Sequence, residues 1–316
     1  MRTVVLAGGI RGSDLLWGLA REMDAATLTA VVNTGDDIEL HGLRICSDLD
    51  SVTYSLADLA DTDRGCGLAR DTWECLQLLA QYGQPAWFRL GDRDLATHLF
   101  RTHAIRQGKR LTEVTDHVCR ALGVGVRILP MTDDPVATYV LVGDGTPRYL
   151  HVQEYLLQHG ATEEVRGLEY RGNARAHPTP EVRQALTEAE TIVIAPSNPI
   201  ASIAPMLAVP GIRKLLGQGR APVVVVSPIV GGHPLAGPTD KFLHWAKVEV
   251  SPLGVARFYQ AILGTVHGIV IDRADEARAA EIEALGVRVC VGKISVRAPE
   301  DKRQMARLAL ELRDSL

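Results

Sequence analysis

The chain has 316 residues, enough for one large α/β domain or two modest ones, and 46% hydrophobic with 23% charged residues supports a sizeable core. A net charge of −4 with no cluster of Lys and Arg argues against a nucleic-acid partner, since neutralising phosphates needs clustered cations. The five scattered cysteines (Cys46, Cys66, Cys75, Cys119 and Cys290) include no CxxC pair. They point away from a disulfide framework or a zinc site and fit reduced thiols in a cytoplasmic protein.

Residues 3–7 (TVVLA) form a short β-branched run that predicts a strand buried on both faces, ending at Gly8-Gly9. Ser13 and Asp14 are candidate N-caps for a following helix whose apolar face carries Leu15, Leu16, Leu19 and Met23. A second strand over 28–33 completes a βαβ unit, so a parallel sheet is expected. The loop Ala7-Gly8-Gly9-Ile10-Arg11-Gly12 fits the dinucleotide fingerprint only with Ala at the first glycine position. The second strand ends in Asn33, where a dinucleotide enzyme places an acid. Phosphate binding at the helix N-terminus is therefore favoured over a nicotinamide cofactor.

Past that strand, Asn33-Thr34-Gly35 turns the chain and sets out Asp36, Asp37, Glu39, His41, Asp48 and Asp50. Carboxylates concentrated just beyond a strand end ask for a neutraliser, either a hard divalent metal or a basic substrate group. The plainer reading is a solvated acidic turn.

Residues 48–125 are expected to form a helical insertion over one edge of the sheet, starting at a cap on Asp48. One helix carries Trp73, Leu76, Leu79 and Ala80 and stops at Gly83; the next carries Leu95, Leu99 and Ile105 and stops at Gly108; a third closes at Gly123. Between the first two lies WFRLGDRD, residues 87–94. It reads either as the wall of a pocket for a flat ring or as a loop capped by Asp92 and Asp94.

Strands are expected over 126–129, 137–142 and 149–152, more weakly over 165–170, with turns at 133–135 and 143–145. The Gly/Pro-containing stretch 171–180 reads as a surface loop. A buried strand over 191–195 then runs into Pro196-Ser197-Asn198-Pro199, where Pro199 suits the first position of a helix. Another strand over 221–226 is followed by the loop 227–232. The window 221–232 is the most apolar in the chain. It contains two prolines and falls far short of the roughly 20 residues of a membrane span, and the N-terminus lacks a signal-peptide pattern. Short strands over 268–271 and 287–291 and an amphipathic helix over 299–312 close the chain. The predicted fold is a single α/β domain over 1–316, Rossmann-like and three-layered, with a mostly parallel sheet. Its strand-end loops converge on one nucleotide cleft.

The segments VVNTGDDIELHGLRICSDLDSVTYSL, WFRLGDRDLATHL, APSNPIASIAPML and SPIVGG resemble, in this order, the 2-phospho-L-lactate transferase family (CofD/FbiA). The resemblance implies a step in making coenzyme F-420. A phospholactyl or phosphoenolpyruvyl group would pass from a guanosine-diphosphate-activated three-carbon acid to the deazaflavin Fo, releasing GMP and forming F-420-0 or its dehydro form, with Mg2+ required. It implies Asp36 at the metal and reacting centre. A magnesium held by few carboxylates would suit Asp36 with Asp37 or Asp50 nearby. One of these carboxylates, with Asp36 and Asp50 the catalytic candidates, would orient or deprotonate the ribityl hydroxyl. Fo would meet Asp50 and Arg89, with Asp92 next to them. The nucleotide would meet Gly8, Gly9, Gly12, Ser197, Asn198, Ser227 and Gly231. A homodimer is also implied. Arg11 stands where the family is expected to carry glycine, which leaves the donor open. The rival reading is a UDP-sugar-binding regulator of the gluconeogenesis-factor type, which SDLD and WFRLGDRD argue against.

Overall fold

The computed structural model describes residues 1–61, 64, 66–143, 145–219 and 221–316. Seven strands form a parallel central sheet: β1 (Thr3–Ala7), β2 (Leu28–Val32), β3 (Arg127–Pro130), β4 (Thr191–Ile194), β5 (Val223–Val226), β6 (Gly268–Asp272) and β7 (Arg288–Gly292). Their order is β7-β6-β5-β4-β1-β2-β3, and each neighbouring pair is parallel. Successive side chains feed opposite cores. Val4, Leu6 and Val31 pack into one; Val5, Ala7, Ala30 and Val32 pack into the other. Burial on both faces is why these strands read as continuous apolar runs. The expected three layers of helix, sheet and helix follow from it. The chain winds away from β1 in both directions, which opens a crevice between the carboxyl ends of β1 and β4.

Helix α1 (Gly9–Glu22) begins directly after β1. The sequence suggested caps at Ser13 and Asp14, but both lie inside the helix. Ser13 Oγ donates to the Gly9 carbonyl (2.9 Å), and Asp14 pairs with Arg11 (2.8 Å) and Lys302 (2.7 Å). Gly9 adopts a φ of +64°, open to glycine at no steric cost, so the chain passes from strand to helix without a capping loop. One side of α1 packs on the C-terminal helix Pro299–Asp314. At their crossing a Cβ on Gly18 would overlap the Lys302 carbonyl. Gly18→Ala is therefore expected to destabilise the fold by about 1–3 kcal/mol, because backbone cannot yield as a flexible side chain does. Chemical denaturation would measure it, and an unchanged midpoint would show that the helices separate freely.

The insertion between β2 and the edge strand β3 holds α2 (Ser47–Leu56), α3 (Glu74–Gln81), α4 (Asp94–Arg106) and α5 (Leu111–Ala121). Part of it, residues 62, 63 and 65, lies outside the described residues. An unexpected hairpin precedes these helices, pairing Ile38–Leu40 with Leu43–Ile45. Its two-residue turn is His41-Gly42, both with positive φ, the arrangement that matches the twist of a tight hairpin.

A second, antiparallel sheet has Ala137–Val142 at its centre, flanked by Arg148–His151 and Gly167–Arg171. The turn expected at 143–145 contains Asp144, which lies outside the described residues. The stretch 171–180 is tied down by Asn173 donating to the Pro205 carbonyl (2.6 Å) and by Thr179 capping the helix Pro180–Glu188. No helix among the described residues is long and apolar enough to cross a membrane.

Candidate active site

The crevice opens into a cleft of about 610 Å³, walled by the loops after β1 and β4, by α2, by the start of α4, by Arg64 and by residues within 66–91. Its floor is stitched together at Gly8. The Gly8 N–H donates to Ser197 Oγ (3.0 Å), and the Ser197 hydroxyl donates to the Gly8 carbonyl (2.7 Å). Asn198 accepts from the N–H groups of Ile200 and Ala201 (3.0 Å each), fixing the helical segment that begins at Pro199. Ser197 and Asn198 thus line the cleft, with the Ser197 hydroxyl and the Asn198 side-chain oxygen spent on its frame.

The charged centre is built by Asn33. Its backbone N–H continues the ladder to the Ala7 carbonyl (3.0 Å), which places its amide at the strand ends. The Asn33 side-chain nitrogen donates both to Asp36 Oδ1 (2.8 Å) and to Asp48 Oδ2 (3.0 Å), while its oxygen accepts from the Gly35 N–H (2.8 Å). Both carboxylates are buried, and neither has a Lys or Arg partner among the described residues. Burial, with the Asp48 charge beside it, pushes Asp36 well above the usual carboxylate range; burial pushes Asp48 up to about 6. Two ionisable carboxylates held side by side without a cation form a site that favours binding one.

That donor set fits magnesium. No group of three or more His, Cys, Asp or Glu among the described residues is arranged to hold a metal by itself. Magnesium, however, is ordinarily held by one or two carboxylates together with substrate phosphates and water. Asp37 turns away from the cleft. Its Oδ2 accepts from Arg44 (3.0 Å) and from the Cys46 thiol (2.9 Å), and burial raises its pKa to about 6. The pair facing the cleft is therefore Asp36 with Asp48. The sequence offered Asp37 or Asp50 as the partner; Asp50 is paired with Arg101, whereas Asp48 returns to Asn33 on the first turn of α2.

The same cleft has an aromatic wall that includes Trp73, Trp87 and Phe88, with Arg64 and Arg89 beside them. The guanidinium groups of Arg64 and Arg89 lie 4.5 and 4.8 Å from the centre of the Trp73 ring. Trp87 and Phe88 meet edge to face at 5.8 Å.

A family model described as 2-phospho-L-lactate transferase CofD matches residues 3–294 of this chain. The chain belongs to the CofD family. Among curated relatives, a phosphoenolpyruvate transferase of Streptomyces griseus is 42% identical, covering 100% of this chain and 99% of the relative. A protein of the same name from Mycolicibacterium smegmatis is 39% identical, covering 99% and 98%. Among solved structures, a UPF0052 family protein from Bacillus halodurans superposes with a TM-score of 0.64 over 98% of each chain, at 15% identity, and shares the fold. Membership makes this protein an enzyme of a transferase family.

Within this CofD-family chain the remaining expected residues fall into two groups. Gly8, Gly9, Asp50 and Arg89 line the cleft, and Asp50 is held there by an ion pair with the buried Arg101. Arg11 also lines it, reaching the Leu235 carbonyl (3.2 Å) and Asp14. Gly12, Asp92, Ser227 and Gly231 are not on the cleft wall. Gly12 sits where a Cβ would press on Ser197 Oγ at 2.8 Å. Asp92 accepts from Thr72 Oγ1 (2.6 Å) and from the N–H groups of Glu74 and Cys75, capping α3. Ser227 bonds within its own loop to Ile229, and the Gly231 N–H donates to Asp275 (2.9 Å).

Asp71 lines the cleft and was not singled out in the sequence. It accepts from the backbone N–H groups of Arg93 (2.8 Å) and Asp94 (3.1 Å), and a Cβ on Gly91 would overlap its carboxylate. Asp71 and Asp92 together lace 71–75 to 91–94 and set the aromatic wall in place. The GDRD segment is therefore first a structural clasp, which the capping reading of Asp92 had allowed.

Proposed function

We propose that this protein transfers a phosphoenolpyruvyl group from a guanosine-diphosphate-activated donor to the terminal ribityl hydroxyl of the deazaflavin Fo. GMP is released and a phosphodiester, dehydro-F-420-0, is formed on the way to coenzyme F-420. The observation that carries this reading is the buried Asp36–Asp48 pair at the strand switch point, lining one cleft with Trp73, Trp87 and Phe88. Such a pair suits a phosphate-bound cation, and the aromatic wall suits a flat heterocycle. Names of relatives 39–42% identical over nearly the whole chain favour the phosphoenolpyruvyl donor over the phospholactyl one.

Phosphoryl transfer between oxygens asks mainly for positioning and charge neutralisation. When bound, Mg2+ would neutralise the donor's phosphates, and Asp36 and Asp48 are the residues that would hold it. The first turn of α1, entered at Gly8-Gly9 without a side-chain cap, offers backbone N–H groups to those phosphates. Asp50 accepts the acceptor's hydroxyl and aims its oxygen at the phosphorus of the three-carbon acid. A new P–O bond forms there as the P–O bond to GMP breaks, and the hydroxyl proton passes to Asp50. Trp73 and Arg89 hold the deazaflavin ring.

Purified protein with Fo, magnesium and each of the guanosine-diphosphate-activated phosphoenolpyruvate, phospholactate and phosphoglycerate donors, followed by mass spectrometry, tests the reading. A new phosphodiester of Fo formed fastest from the phosphoenolpyruvyl donor is expected, and it disappears on chelation of magnesium. A faster phospholactyl donor would reassign the donor. No product and no Fo binding would overturn the function and favour the nucleotide-sugar regulator. In the same assay Trp73→Ala is expected to raise KM for Fo about tenfold through lost ring contact, leaving KM for the donor unchanged. An equal rise in both constants would remove Trp73 from the acceptor site.

A further inference from the structure

The wall of the cleft beside Asp50 is a run of buried polar side chains that the roles above do not use. Along α4, Asp94, His98 and Arg101 stand at helical spacing on one face and are buried, whereas Leu99 on the opposite side is exposed. Arg101 pairs with Asp50 through both terminal nitrogens, Nη1 lying 3.1 Å from Oδ2. The same Nη1 lies 3.3 Å from His98 Nδ1. His98 Nε2 lies 3.2 Å from Asp94 Oδ2, an ion-pair separation without hydrogen-bond alignment, and has no hydrogen-bond partner among the described residues. The other Asp94 oxygen accepts from the Tyr54 hydroxyl (2.6 Å).

The donors and acceptors fix one another. A guanidinium can only donate, so His98 Nδ1 accepts from Arg101 at 3.3 Å, with Asp50 Oδ2 farther off at 3.7 Å. The imidazole proton then sits on Nε2, facing the Asp94 carboxylate. The opposite tautomer would set two N–H groups head to head at Arg101 and turn a nitrogen lone pair toward the carboxylate. Both contacts are unfavourable, and the more so in a buried site of low dielectric. Tyr54 thus donates to Asp94, the His98 Nε2–H faces the same carboxylate, His98 Nδ1 accepts from Arg101, and Arg101 donates to Asp50. Four of these five residues line the cleft and Arg101 stands behind them.

We propose that His98 and Arg101 are positioning residues that hold the Asp50 carboxylate in one orientation for the acceptor hydroxyl, with His98 fixed as its Nε2–H tautomer between Arg101 and Asp94. The role assigned to Asp50 rests on the function proposed above; the hydrogen-bond order does not. Arg101 receives a lone pair from neither Asp94 nor Tyr54, so His98 is the link that ties its guanidinium to the rest of the wall.

Two measurements on the full-length protein test this. In 15N-resolved NMR, with the His98 signals identified by their loss in His98→Gln, Nδ1 is expected to appear unprotonated and Nε2 protonated. A protonated Nδ1 in the folded protein would overturn the proposal whatever reaction the enzyme catalyses. In steady-state transfer, His98→Gln can still accept from Arg101 and donate to Asp94, whereas His98→Leu can do neither. His98→Gln is expected to keep kcat within about threefold of the parent, and His98→Leu to lose about thirtyfold or more with KM for the guanosine-diphosphate donor unchanged. Equal loss in both variants, or loss confined to donor KM, would remove the positioning role. Should His98→Leu melt early, His98→Asn against His98→Gln gives the same contrast, because the shorter amide cannot span both partners. A parent enzyme with no transfer to Fo at all would sink the functional reading, leaving the NMR result to decide the tautomer and the order of the chain.

Discussion

Asp36→Asn is expected to reduce transfer by about a thousandfold or more, because it removes half of the carboxylate pair that would hold the cation neutralising the reacting phosphates. The fold should survive. An asparagine oxygen can still accept from the Asn33 amide at the place where Asp36 Oδ1 now does, at 2.8 Å. The substitution also removes one of two buried like charges, so the melting temperature without added metal should be unchanged or higher. Magnesium is expected to raise the melting temperature of the parent protein, by preferential binding to the folded state, and to leave the variant's nearly unmoved. Turnover within about tenfold of the parent would exclude Asp36 from the reacting centre. An equal magnesium shift in both proteins would place the cation elsewhere.

Gly8→Ala should be nearly as damaging for a different reason. Gly8 is in extended backbone, with φ at −157°, so an alanine is conformationally acceptable there. The obstacle is space. The new Cβ would stand 2.6 Å from Asp48 Oδ2 and 2.8 Å from Ser202 Cβ, both well inside contact distance. Asp48 would have to leave the bridge made by Asn33, or the loop after β1 would have to lift from Ser197. Either movement spoils the phosphate side of the cleft. A stability loss of about 1–3 kcal/mol is expected from the overpacking, together with a fall in turnover of about a hundredfold or more. Denaturant titration and the transfer assay would measure the two separately. A stable variant with normal turnover would show that Asp48 is not needed where the structure places it.

These two positions also show how far the sequence could be read. Asp36 was visible because a strand, a glycine turn and a carboxylate follow one another within a few residues, and that order alone sets the group at a strand end. Asp48 was in view as one of six polar residues past the strand and as a helix cap, with nothing to pair it with Asp36. Its role depends on α2 returning across the sheet end to Asn33, a contact made over fifteen residues of chain. Asp37 went the other way. Adjacent to Asp36 in sequence, it was grouped with it, but the hairpin of 38–45 brings Arg44 around to claim it. Asp92 and Gly231 sit in segments that border the cleft while their polar groups hold those segments together, a distinction that motif spacing does not carry.

Helix α4 makes the same point in reverse. Leu95, Leu99 and Ile105 marked it as an ordinary amphipathic helix, yet its buried face is Asp94, His98, Arg101 and Thr102. The signal was present as a polar stripe at i, i+4 and i+7. It was passed over because apolar residues are the usual guide to the buried side.

The sequence by itself determined the parallel α/β class, the strand carrying the carboxylates, the glycine loop and the family resemblance. Each is written in local periodicity or in contiguous segments. The tertiary structure alone decided which carboxylates pair, which glycines are required by close approach, and which polar residues face the cleft. Those outcomes depend on how segments far apart in the chain meet at the strand ends. There burial raises the energy of every unpaired charge and leaves few arrangements that satisfy them all.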